Sequence, residues 1–164
     1  MLPGTWGSWS DSTASNLVGM QLTIELVPTT CWFSNVRSEV SKDEWDLLRR
    51  RCYSAASYRC EICNGRGRKW PVEAHEIWDY DDVNKVQKLV RLIALCPNCH
   101  GVKHIGGQQS KSKAAGDRAL KHLMKVNGLT KSKAEAYIQE CYEVWNERSR
   151  HEWVLDITWL RGKL

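Results

Sequence analysis

No stretch of about 18 consecutive apolar residues occurs in the 164-residue chain, so no membrane-spanning helix is expected. Residues 1 to 20 lack a basic start followed by an apolar core, so no secretory leader is expected either. No internal repeat and no long linker interrupts the chain, and its length suits one compact domain. Acidic residues are nearly missing from one region. Between Lys103 and Lys133 there are eight Lys or Arg and one acid, Asp117. The chain's net charge of +5 is therefore concentrated there, which suits a polyanionic partner.

Cysteine, histidine and tryptophan are what the chain does have. Seven cysteines are present, four of them in Cys-x-x-Cys pairs, Cys60/Cys63 and Cys96/Cys99. Such a pair in a tight turn aims two thiolates at one point, and two pairs complete a tetrahedron for Zn²⁺. The alternative is two disulfides or four buried thiols. The 32 residues from 64 to 95 exceed the gap of a simple zinc ribbon, so the loop must hold structure of its own. A zinc staple with the remaining thiols, Cys31, Cys52 and Cys141, buried fits a reducing cytoplasm.

His100 and His104 follow the second pair directly, four apart and so on one face of a helix. His75 and Glu76 lie inside the frame. Three neutral imidazoles, or two with Glu76, can hold a divalent ion and leave positions free for water and substrate. The plainer reading is that these histidines cap or pack.

Other parts of the chain read as scaffold. Residues 1 to 19, rich in Gly and Ser, read as a flexible tail in which Trp6 and Trp9 are free to dock elsewhere. Most of the nine tryptophans belong in a core. Gln21 to Val27 alternates as a strand, and Glu152 to Leu160 alternates again. We expect the two to pair as a small terminal β-platform. Ser41 and Glu44 form a capping box that opens a helix to about Ser57. Its basic triplet Arg49 to Arg51 reads as a solvated face or a phosphate contact. Trp70 to Ile77 and Lys88 to Leu95 should form a hairpin. The acidic Asp79 to Asp82 between them caps a short turn of helix around Val83 to Gln87. Asp79 is also placed to orient a ligand histidine. Residues 98 to 105 form the histidine helix, stopped by Gly106 and Gly107. Residues 114 to 126 form another, and His122 on it reads as a surface or packing residue. Ser132 and Glu135 read as a second capping box.

Within this frame the run Val72-Glu73-Ala74-His75-Glu76-Ile77, then Arg91-Leu92-Ile93-Ala94-Leu95-Cys96, then Cys99-His100 and Lys103-His104, resembles the HNH endonucleases. These are the ββα-metal, or His-Me finger, nucleases, here in their zinc-stapled form. The resemblance covers about a third of the chain, residues 59 to 106. It implies an α+β fold with a ββα-metal core. Residues 20 to 164 then form one domain, with a basic helical and strand extension over 107 to 164. It also implies one divalent ion, Mg²⁺, Mn²⁺, Ni²⁺ or Zn²⁺, on His75, His100 and His104, beside structural Zn²⁺ on the four cysteines. By position Glu76 stands where the family has its general-base histidine, and Arg91 where it has an asparagine. The implied activity is hydrolysis of phosphodiester bonds in DNA. Beside such a site the basic run with Lys103, Lys111, Lys113, Arg118 and Lys121 reads as a phosphate-backbone footprint, the alternative being a solvated helix surface. A homodimer is one way to cut both strands. The rival readings are a zinc-stapled DNA-binding module without catalysis, and a protein-interaction domain using its Trp-rich ends.

Overall fold

The computed structural model describes residues 19–33 and 35–164. The expected tail, with Trp6 and Trp9, falls outside them apart from Gly19. Among the described residues the chain is α+β. Two short helices and one long one, by turns, surround a hairpin: α1 (Val36–Glu39), α2 (Lys42–Ala55), β1 (Glu73–Asp81), β2 (Val86–Leu95) and α3 (Pro97–Lys103). Then come α4 (Ile105–Lys111), α5 (Lys113–Asn127), α6 (Lys131–Arg148) and β3 (Val154–Asp156). No helix among the described residues is long and apolar enough to cross a membrane.

The sheet has the order β1-β2-β3. β1 and β2 are antiparallel, with Glu73 opposite Leu95 and His75 opposite Ile93. The register shifts after Ile77, so that Arg91 and Leu89 face Ile77 and Trp78 and Val90 is left over. That bulge explains why Leu89 and Leu92, three apart, share one core. Successive strand residues face opposite ways, so the hairpin carries two apolar layers. One holds Ile93 and Leu95 against Val102, Ile105, Leu123, Ala134 and Ile138 of the C-terminal helices. The other holds Leu89 and Leu92 against Trp45, Leu48, Val36 and Leu160.

Caps decide several boundaries. Ser41 accepts from the Glu44 N–H, and Glu44 from the Ser41 N–H, which starts α2 as expected. Gly128 closes α5 in the left-handed region, at φ 63°. Asp81 accepts from the N–H groups of Val83 and Asn84 and makes an Asx turn, so no helical turn forms there. Asp79 to Asp81 belong to β1 instead. α6 opens at Thr130, whose hydroxyl accepts from the Lys133 N–H, and not at Ser132. Gly106 and Gly107 do not stop the histidine helix. The break comes at His104, and the chain coils again at once. Gly106 serves close approach: a Cβ there would stand 3.0 Å from the Tyr142 hydroxyl.

The terminal β-platform does not form. In Gln21 to Val27, Leu22 and Ile24 point inward as the alternation requires, but among the described residues no strand pairs with the segment. Its donors are taken elsewhere. Asn127 Oδ1 accepts from the N–H groups of Gln21 and Leu22, the Tyr137 hydroxyl from Ile24, and the Lys103 carbonyl from Glu25. At the other end only Val154–Asp156 is a strand, parallel to β2, and Thr158–Leu160 is a 3₁₀ turn. The two ends therefore fasten to different parts of the fold. Alternation reports which side chains are buried, not what the backbone pairs with.

Candidate metal centre

The first Cys-x-x-Cys pair sits in a turn closed by Cys60 N–H to Gly65 carbonyl, 3.0 Å, and Asn64 N–H to Cys60 carbonyl, 2.9 Å. Asn64 takes φ 57°, a conformation its side chain tolerates. Gly67 is required beside it, because a Cβ would meet the Trp70 carbonyl at 2.1 Å and the Pro97 ring at 2.7 Å. The second pair opens α3. Cys96 is its N-cap residue, accepting from the Cys99 N–H, and Pro97 holds the first helical position.

These turns bring the four sulfurs within 4.8 Å of one another, and Cys63 and Cys96 to 3.6 Å. A zinc tetrahedron with Zn–S near ~2.3 Å has edges of about 3.8 Å. The spacing thus fits one ion and is too long for a disulfide, and all seven cysteines are free of disulfides. Hydrogen bonds from Cys96 and Cys99 push the Cys60 thiol well below its usual range. The same bonds push the Cys96 thiol up, to about 11, and Cys99 up as well, so the cluster holds one thiolate supported by neighbouring thiols. His122, expected to be a surface or packing residue, lies with Nε2 3.1 Å from Cys99 Sγ. It is an outer hydrogen-bond partner of the cluster.

A second cluster stands beside the first. His75 comes from β1, His100 from α3, and His104 from the residue that ends α3. One nitrogen from each ring falls within 4.8 Å of the others. The ring centroids are 4.9 to 5.3 Å apart, and each pair of rings is nearly perpendicular. His75 is buried, and burial lowers its pKa. His104 is held down to about 3 by loss of water around its ring, then by His75 and His100. Both are neutral at neutral pH, the state that ligates. Two carboxylates engage the outer nitrogens. Glu73 Oε2 is 2.5 Å from His100 Nδ1, and Glu25 Oε2 is 2.8 Å from His75 Nε2. Ligand histidines commonly have such partners. The fit to a divalent ion rests on these donors: one imidazole nitrogen from each of three rings, within 4.8 Å of one another.

The remaining expected residues are placed as follows. Glu76 follows His75 along the strand and so points to the other face, where Oε1 accepts from the Val36 N–H at 2.9 Å. Burial raises its pKa, while the Val36 N–H opposes the rise. The open cleft that the three histidines line is broad and takes in residues from both faces of β1, and Glu76 and Arg91 lie along it. Arg91 Nη1 donates to Glu61 Oε2 at 2.8 Å, and Glu61 also accepts from the Ala94 N–H. Lys111, Lys113, Arg118 and Lys121 are exposed on α4 and α5, with Lys113 paired to Asp117 at 2.8 Å. Lys103 departs from expectation. It is only 3 % exposed and donates to Thr23 Oγ1 and to Glu25, so it is no phosphate contact. Asp79 is exposed, and Glu73 and Glu25 take the orienting place considered for it.

Three residues around the clusters escaped the sequence reading. Glu73 was within reach of it, being two positions before His75 and hence on the same strand face. Glu25 and His122 carry no such mark, since their partners lie 50 and 23 positions away. Comparison with protein-family profiles, with curated proteins and with solved structures found no match to the chain.

Proposed function

We propose that the chain is a metal-dependent endonuclease of the HNH type that hydrolyses phosphodiester bonds in DNA. The observation that carries this reading is the convergence of His75, His100 and His104 on one point beside a four-cysteine cluster, on a hairpin followed directly by a helix. The cysteines hold structural zinc, which ties the first knuckle to the start of α3 and so fixes the imidazoles relative to β1. A divalent ion on the three histidines would supply a Lewis acid for the scissile phosphate and for the departing 3′-oxygen.

The side chains then have these roles. His75, His100 and His104 ligate. Glu76, once it leaves the Val36 N–H and turns toward the histidines, takes a proton as water attacks phosphorus and the P–O3′ bond breaks. Arg91, half-exposed in the same cleft, offsets charge on the five-coordinate phosphorus. Exposed Lys111, Lys113, Arg118 and Lys121 attract the backbone. Cutting both strands takes two nicks or two copies of the chain.

The test is nicking of supercoiled plasmid with Mg²⁺, Mn²⁺, Co²⁺ or Ni²⁺, suppressed by EDTA. His104→Ala should abolish nicking, and Glu76→Gln should slow it by about a hundred-fold or more. Parent-like cutting by Glu76→Gln would assign the base elsewhere. A second reading, a zinc-stapled DNA-binding module without catalysis, is favoured by one observation. The Glu76 carboxylate is spent on the Val36 N–H, on the face away from His75. That reading gives DNA retardation at low salt and no nicks with any ion. Absence of retardation would point to protein interaction instead.

A further inference from the structure

We propose that Glu25 and Lys103 form a buried device that fixes the tautomer of His75, so that its Nδ1 faces the ion. The proposal rests on the reading of the three histidines as a metal site, and it assigns Lys103 a positioning role in place of DNA contact.

Lys103 has only donors, and it spends them on Thr23 Oγ1 and Glu25 Oε1. Paired with that ammonium, Glu25 is a carboxylate, which only accepts. Its other oxygen, Oε2, is 2.8 Å from His75 Nε2. The proton of that bond must therefore sit on His75 Nε2, and a neutral imidazole then has its lone pair on Nδ1. Glu73 sets the opposite choice at His100, where Nδ1 is engaged and Nε2 is left. The two rings come from different elements, a strand and a helix. Presenting opposite nitrogens is how they aim at one point.

The placement of Glu25 is built, not incidental. Its own N–H donates to the Lys103 carbonyl at 3.0 Å. Ile24 beside it is buried, with its N–H on the Tyr137 hydroxyl. Leu22 is wholly buried, and Asn127 brackets it by accepting from its N–H and donating to its carbonyl at 2.8 Å. A segment fixed at Leu22, Ile24 and Glu25 leaves the carboxylate little freedom. Lys103 itself is 3 % exposed, three positions past His100 and one before His104. A lysine this buried, with a carboxylate and a hydroxyl as its partners, is committed to them. A buried charge at this position is tolerated only because Glu25 matches it.

The experiment uses the full chain loaded with one equivalent of zinc and no other divalent ion. Nitrogen-15 NMR of the histidine rings reads the His75 tautomer directly. Calorimetry with Co²⁺ then reads affinity at the histidines. Glu25→Leu combined with Lys103→Met removes both charges together, so the fold is spared an unpaired one, and a thermal melt checks this. We expect Nε2–H at His75 in the parent. The double variant should show a mixture or Nδ1–H, with Co²⁺ affinity about ten- to hundred-fold lower. Retardation of DNA without Co²⁺ should be unchanged, because Lys103 does not reach the surface. Nδ1–H in the parent overturns the proposal, as does a double variant with the parent's tautomer and Co²⁺ affinity. If the parent binds no Co²⁺ at the histidines, the nuclease reading fails, while the tautomer comparison still decides the role of Glu25.

Discussion

His122 shows how one side chain conditions a metal cluster without ligating. An imidazole nitrogen within hydrogen-bond reach of a ligand sulfur fixes the direction in which that sulfur points its lone pairs. Cys99 is wholly buried, so no water replaces that bond when it is removed. His122→Ala should lower stability by about 1–3 kcal/mol at fixed zinc and speed zinc loss to a chelator. A chelation rate equal to the parent's would make His122 a packing residue after all. His104 gives a second expectation, in pH. Its folded pKa is about 3, whereas an unfolded histidine titrates near ~6.5. Between those values the unfolded chain binds more protons, so stability rises with pH. The contribution is complete above pH ~6.5 and is lost as pH falls toward 3. Urea midpoints of the parent and of His104→Gln, compared from pH 7 to pH 5 without added ion, should converge as the parent loses this contribution. A constant gap would place the titration elsewhere.

At the scale of elements, capping can be tested against the sequence pattern that misassigned it. Thr130 caps α6, while Ser132 has the spacing of a capping box one half-turn too late. Thr130→Ala should cost about 1 kcal/mol and Ser132→Ala nearly nothing, read by chemical denaturation. The reverse order would restore the pattern's choice. Gly67→Ala should be far worse, because backbone and the Pro97 ring, not a flexible tip, stand where its Cβ would go. Legibility followed the same lines. The cysteine pairs, the three histidines, the hairpin and the Ser41 cap were readable because each depends on neighbours in the chain. The hairpin is longer than expected, since Asp81 turns the chain where helix was predicted. The segment Gln21 to Val27 was misread because its alternation is real but its hydrogen bonds go to Asn127, Tyr137 and Lys103, all more than 75 positions away. Lys103 looked like a surface cation because nothing local marks Glu25 as its partner. Long-range polar pairing leaves no period in a sequence.

Taken whole, the molecule has two apolar layers that share one hairpin. Cys60, Cys96 and Cys99 belong to the first layer, among Leu95, Val102 and Leu123. Trp45, with Trp78 and Trp159 packed nearby, belongs to the second. Three of the four clustered cysteines and the tryptophans Trp45, Trp78 and Trp159 thus sit on opposite sides of β1 and β2. If the strands transmit stability, stripping zinc should disturb tryptophans that no zinc ligand touches. Without zinc, the first knuckle and the start of α3 lose their tie, β2 loses its fixed end at Leu95, and Leu89 and Leu92 lose a rigid support. We expect chelation to lower the melting temperature read by tryptophan emission by about 10 °C or more, since a few kcal/mol moves a chain of this size by that amount. Amide exchange in α3 should rise in the same step. Faster exchange in α3 with an unchanged emission melt would mean that the layers fold independently, and that zinc orders the histidine site alone.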